Sequence, residues 1–206
     1  MLRPTREQID ACIVDAAAAM FAEHGYDRTS LREIAGAVGY SKTGLLHRFR
    51  SKELLRDAVA EQCVDAVRGV LASVEDLPAG AERDTAVVHA LADLAVSAPG
   101  RLSLALARAG ALSSTPAGEV LAGVPELLGR CFALPGPDRP GGGAAGSDLE
   151  RSLRVTAALA VIGTLAVAFP QQPPQQLRQH VTGIALEVLG LAPAPPPAPP
   201  TVLPPR

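Results

Sequence analysis

Between Ser30 and Lys52 the chain reads SLREIAGAVGYSKTGLLHRFRSK, and few folds accept that run. Ser30 with Glu33 is a capping box, in which the hydroxyl accepts from a backbone N–H in the first turn and the carboxylate reaches back to the cap's own N–H. A helix therefore begins at Leu31. Leu31, Ile34, Ala35 and Val38 recur on one helical face, and Gly39 follows where a positive φ ends the helix. After a turn at Gly39 and Tyr40, Ser41 caps a second short helix; Leu45 and Phe49 share one face, and Lys42, Thr43, His47 and Arg48 are left on others. Helices this short cannot bury both apolar stripes against each other, so a third must cover them. Glu7 to His24 supplies it, with Ile9, Ile13, Ala16, Ala17, Met20 and Phe21 in a stripe closed by Gly25. The arrangement is that of a helix-turn-helix, whose second helix enters the major groove of DNA.

Charge agrees with that geometry only locally. The formal net charge is -2, yet Lys42, Arg48, Arg50, Lys52 and Arg56 stand against Glu53 alone between positions 42 and 56. A basic surface confined to one stretch suits one face of a phosphate backbone. Cys12, Cys63 and Cys131 form no CxxC and no Cys/His cluster, so they read as small hydrophobes in a reducing cytoplasm, with no metal site. MLRPTREQID has no apolar signal-peptide core, which predicts a cytoplasmic protein. Paired acids on one helix face, a glycine-rich phosphate loop and a nucleophile elbow are all lacking, so neither an enzyme nor a cofactor is expected.

With 206 residues there is room for this small unit and a second helical core. Aromatics are 3% and Trp is absent, so that core must be close-packed Ala, Leu and Val. Ser51 caps a helix from Lys52 to about Val74, striped by Leu54, Leu55, Ala58, Val59, Cys63, Ala66, Val67, Val70 and Leu71. LPAG from Leu77 to Gly80 is a turn. A helix from Thr85 to Ser97 is stopped by Ala98, Pro99 and Gly100, and helical segments follow over Arg101 to Leu112 and Ala117 to Leu134, the latter begun or kinked at Pro125. Pro135 to Ser147 is a Gly/Pro loop; Asp148 caps a helix through Phe169; a Gln/Pro linker from Pro170 to Gln176 leads to a last helix ending near Leu191. The tail from Ala192 to Arg206 is proline-rich, extended or disordered. Val155 to Phe169 carries no charge but is shorter than the roughly 20 residues of a membrane span and is bounded by Arg154 and Pro170. It predicts a helix buried on several sides, by its own domain and by a partner. The domains are therefore 1–51, 52–191 and the tail 192–206.

The run IVDAAAAMFAEHGYDRTSLREIAGAVGYSKTGLLHRFRSKELL resembles the N-terminal DNA-binding domain of the TetR family of transcriptional regulators. The AAxxxFAEHGY end of the first helix, the TSLREIA second helix, the GYSK turn, Phe49 and the following SKE stand where that family has them. The resemblance implies an all-α fold, a three-helix helix-turn-helix domain followed by a helical ligand-binding and dimerisation domain, and a homodimeric repressor of a palindromic operator, released by a small, largely apolar effector.

Phosphate contacts position such a protein and base edges specify the sequence. The DNA face should comprise Ser30, Arg32, Ser41, Lys42, Thr43, His47, Arg48 and Lys52, the last matching a lysine that grips the backbone in this family. Two departures matter. Leu46 stands where many members carry a phosphate-binding aromatic, and Gly44 removes a side chain from the reading helix at a cost of about 1 kcal/mol against Ala. The effector pocket is expected around Leu71, His89, Leu91 and Thr156. The family's four-helix dimer bundle would place Ala158, Ile162, Ala166, Val181, Ala185 and Val188 in the seam, the other reading being a core within one chain. Two further readings stay open: a DNA binder with no effector, and a helical interaction protein that has lost DNA binding, with Leu46 and Gly44 as its signs. Salt-dependent binding to its own promoter separates the last from the others.

Overall fold

The computed structural model describes residues 5–107, 116–134, 145–169 and 171–191. The proline-rich tail, most of the Gly/Pro loop after Pro135 and the end of the helix expected to reach Leu112 lie outside these residues. Regular structure in the described residues is wholly helical: α1 (Arg6–His24), α2 (Leu31–Ala37), α3 (Lys42–Arg48), α4 (Lys52–Val74), α5 (Ala81–Ser97), α6 (Pro99–Leu106), α7 (Pro116–Leu121), α8 (Val124–Cys131), α9 (Ala145–Ala168) and α10 (Pro174–Leu189).

Local chemistry accounts for the first four starts. Thr5 and Gln8 form a capping box on α1, Ser30 and Glu33 one on α2, and the Ser41 and Ser51 hydroxyls accept from the backbone N–H of Gly44 at 3.0 Å and Leu54 at 3.2 Å. Two hydrogen bonds from Ser30 hold the Glu33 carboxyl below its ordinary range. Gly39 takes φ 72°, a conformation unfavourable to any residue with a Cβ, and Tyr40 N–H then donates to Ala35 O at 2.8 Å. That hydrogen bond closes the turn between α2 and α3.

Ile13, Ala17, Phe21, Ile34 and Leu45 meet in the centre of the first three helices with no more than 1% exposure. Val14 and Ala18, outside the expected stripe, are equally buried, because α1 is covered by α2 on one side and by α4 and α6 on the other. From α4 onward Leu55, Val59, Cys63, Val67 and Val74 form a spine with at most 1% exposure, against which α5, α6, α7 and α8 pack. Leu54, expected in that stripe, is 52% exposed.

Several helix ends differ from the sequence reading. α5 starts one turn before Thr85, at Ala81, because Arg83 and Asp84 find partners inside. The Arg83 guanidinium donates to the carbonyls of Leu77 and Cys131, both at 2.7 Å, and Arg130 at 2.8 Å, so one arginine occupies carbonyls left open at the end of α8. α5 ends at Ser97 as expected, but α6 begins at Pro99 and not at Arg101, with proline as its first residue, a position where its missing N–H costs nothing. The segment from Ala117 to Leu134 is two helices, with Pro125 in the first turn of the second. α9 begins at Ala145, ahead of Asp148.

α6 lies directly on α1. A Cβ at Gly100 would overlap the carbonyl oxygen of Asp15 and stand 2.9 Å from the nitrogen of Ala19, so this crossing excludes every other residue.

Burial pushes the thiols of Cys63 and Cys131 up to about 12 and about 11 respectively, whereas Cys12 is exposed. A thiol reagent added to the native protein at neutral pH is expected to modify Cys12 alone, with the other two reacting only after denaturation. Counting released chromophore before and after denaturant checks it.

Candidate nucleic-acid interface

α2 and α3 present one exposed polar face. Arg32, Lys42, Thr43 and His47 are exposed there and make no side-chain hydrogen bond or ion pair among the described residues. Their carriers are fixed from behind by Ile34, Ala35 and Leu45 in the core. Ser30 and Ser41 stand at the edge of this face, but their hydroxyls already accept from the backbone N–H groups of Glu33 and Gly44. Leu46 is half-buried and brings no polar atom.

The remaining two expected contacts are engaged elsewhere. Arg48, expected on the phosphate face, turns back to α1, where Nη1 donates to the carboxylate of Asp10 and to the carbonyl of Arg6 at 3.2 Å; its side chain is 17% exposed. Lys52 Nζ donates to the carbonyl of Tyr26 at 2.6 Å and lies 4.1 Å from the centre of the Tyr26 ring. Tyr26 is held in turn by an edge-on contact with Phe21, ring centres 5.4 Å apart, and donates its hydroxyl to Glu53 at 3.3 Å. Burial, then the charge of Glu53, raises the Tyr26 phenol above its ordinary value. Lys52 thus ties the α1–α2 connection to the start of α4. Asp10 and Tyr26 were missed in the sequence because each lies far along the chain from its partner, and spacing carries no signal at that range.

Burial turns most of the residues expected in the seam inward and separates those expected in the pocket. Ala158, Ile162, Val181 and Ala185 are 0% exposed and Ala166 3%, with Val188 half-buried: these positions face α5, α6 and each other within one chain. They form the intramolecular core that was the other reading. The outer face of α9 and α10 instead carries Leu149 at 62% exposure, Leu153 at 60%, Val167 at 41% and Ile184 at 41%. Leu71 and Leu91 are packed at 7% and 0% exposure, while His89 and Thr156 are outside, the Thr156 hydroxyl donating to Ser152 O at 2.8 Å. The four thus divide between the core and the surface. An apolar groove opens instead between the end of α9 and the start of α10, edged by Leu165, Phe169, Leu177 and Ile184 with Gln176 and His180.

A family profile described as "Bacterial regulatory proteins, tetR family" matches residues 13–59. Over 58 residues the chain is 39% identical to the HTH-type transcriptional repressor Rv1474c of Mycobacterium tuberculosis, which is 28% of this chain and 31% of that protein. The chain therefore matches less than a third of the length of this curated relative. Solved structures that match over most of the chain include two with named ligands or roles. The ketosteroid transcriptional regulator KstR2 of Mycobacterium tuberculosis has a TM-score of 0.53 at 21% identity, covering 90% of this chain and 95% of that one. AibR in complex with isovaleryl coenzyme A and operator DNA has a TM-score of 0.50 at 20% identity, covering 85% and 97%. At these identities the likeness is one of fold.

Proposed function

Because the chain belongs to the TetR family of bacterial regulatory proteins through residues 13–59, we propose that it is a DNA-binding transcriptional repressor acting as a homodimer on a palindromic operator. The observation that carries this reading is the unengaged set Arg32, Lys42, Thr43 and His47 on one exposed face of α2 and α3. A helix of this kind in the major groove brings Lys42 and Thr43 to phosphate and base edges, with His47 one turn further along. Two heads related by a two-fold axis read an inverted repeat, with half-sites about one helical turn (roughly 34 Å) or a little more apart. The partner subunit is proposed to sit on the outer stripe of α9 and α10, since the residues first expected in the seam are already covered.

Lys42→Ala is the test. The variant should weaken binding to all duplexes alike and lower the slope of log K against log salt by about 1. An unchanged slope in a folded variant removes Lys42 from the interface, and a wild-type protein whose binding ignores salt removes DNA from the proposal.

Release by a small, largely apolar effector is the finer part of the proposal. It requires the core around Leu71 and Leu91 to open, and the ligand shifts that equilibrium by no more than its differential affinity for the two states. The closed packing of those two leucines favours a second reading, in which the C-terminal helices serve assembly alone.

A further inference from the structure

We propose that α1 positions the reading helix: Asp10 fixes α3 through Arg48, and Asp15 fixes α1 in turn to the first turn of α6. This inference rests on the DNA-binding reading of α3. Arg48 is the last residue of α3, and its guanidinium is held by the carboxylate of Asp10 and the carbonyl of Arg6. A charged nitrogen, Nη1, held by two acceptors on another helix restricts rotation of α3 about its own axis, which decides where Lys42 and Thr43 point.

Five residues further along α1, Asp15 accepts from the backbone N–H of Arg101 at 2.9 Å and of Gly100 at 3.2 Å, and the Arg101 guanidinium lies 3.6 Å from the same carboxylate. The exclusion of any Cβ at Gly100 leaves this crossing no slack. Arg101 is also tied to α4, its carbonyl accepting from Cys63 Sγ at 3.4 Å and its side chain donating to Gln62 at 3.3 Å. α6 packs on α9, so α1 and α6 in series connect the helix carrying exposed apolar residues to the helix facing DNA. Both side chains of the Asp15–Arg101 pair are 21% exposed, a setting in which such pairs are screened less than at the surface. Asp10 and Asp15 touch no DNA in this arrangement; they are positioning residues.

The test uses full-length protein and the half-site and palindrome that it selects from a pool of random duplexes. Asp10→Ala and Arg48→Ala should each weaken half-site binding by about tenfold, the double variant by no more than either single one, because the two side chains act as one unit. The salt slope should stay at the wild-type value in all three. A slope lowered by about 1 in Arg48→Ala alone, additive losses, or no loss in any variant would overturn the assignment. Asp15→Ala should weaken the palindrome about fivefold or more and leave the half-site within about twofold, since it loosens head against body without touching the reading face; equal losses on both DNAs overturn it.

Hydrogen exchange on DNA-free protein gives a readout independent of DNA. Asp10→Ala should speed exchange at the amides of Leu45 to Phe49 while α5 stays protected, and an unchanged α3 overturns the proposal. A wild-type protein that selects no DNA sinks the repressor reading, and the exchange measurement still decides the role of α1.

Discussion

Leu153→Glu is expected to yield a monomer that no longer holds the palindrome but remains folded. The segment Asp148–Ala168 has a mean hydropathy of 1.4 with only 28% of its most apolar window buried. Leu149, Leu153 and Val167 fall on one helical face of α9, and Ile184 of α10, which packs against α9, is exposed as well. Covering apolar area is favourable by about 25 cal/mol per Å², and a second copy brings a matching face. A carboxylate placed in the covered seam has no partner, and the dimer should weaken by about 100-fold or more, on the order of 3 kcal/mol. Because Leu153 is 60% exposed in the single chain, the protomer itself should keep its stability within about 0.5 kcal/mol. Sedimentation of the variant decides the matter: an intact dimer moves the interface elsewhere. Pelleting of the wild-type protein with lipid vesicles would assign the stripe to a bilayer surface instead. Ala185→Glu tests nothing here, since at 0% exposure the charge would enter the protomer's own core.

Arg151→Ala should lower the stability of the fold by about 3 kcal/mol. Asp84 is 2% exposed, and its carboxylate receives Arg151 Nη1 at 2.7 Å and Nη2 at 3.0 Å. Arg151 also donates to Phe132 O at 2.7 Å, and its hydrogen bonds to Asp84 hold its own pKa above the ordinary arginine value. Truncation leaves a buried carboxylate alone, which costs more than the pair contributed. The lower end of the usual range applies because the arginine side chain is 36% exposed and water can follow it out. Replacing both residues by leucine should recover most of the loss. Urea unfolding midpoints check the set, and a loss below about 1 kcal/mol for Arg151→Ala would mean that water already screens the pair.

What was legible in the sequence was what acts within a few residues. The Ser30–Glu33 box, the Gly39 turn and the Ser51 cap were all visible as spacings of three or four, and they place the two helices of the motif. Arg48 with Asp10, Lys52 with Tyr26 and Arg101 with Asp15 are separated by 38, 26 and 86 residues, so no local pattern announces them. Two of these give intramolecular partners to residues expected at DNA, Arg48 and Lys52. The inward and outward faces of α9 were hard to read for a different reason. α9 is apolar around its circumference, and a pattern without a polar side does not say which face turns inward. Ala158, Ile162 and Ala166 go in; Leu149, Leu153 and Val167 go out. The α6 start was obscured because Pro99 both ends one helix and begins the next.

Gly100 bears on how such regulators can be recombined. A cut after Ser51 looks natural for exchanging DNA-binding heads between relatives, since the matched profile ends just beyond it at residue 59. Yet α6 rests on the backbone of α1 at Asp15 and Ala19 with no room for a methyl group, and the Asp15 carboxylate caps it. A foreign head grafted onto this body inherits α6 as a fixed mould. It seats only if its own first helix presents a carboxylate at the position of Asp15 and an uncrowded backbone at Ala19. The unit of exchange is therefore α1 to α4 together with the first turn of α6, two stretches of sequence that have to travel as one.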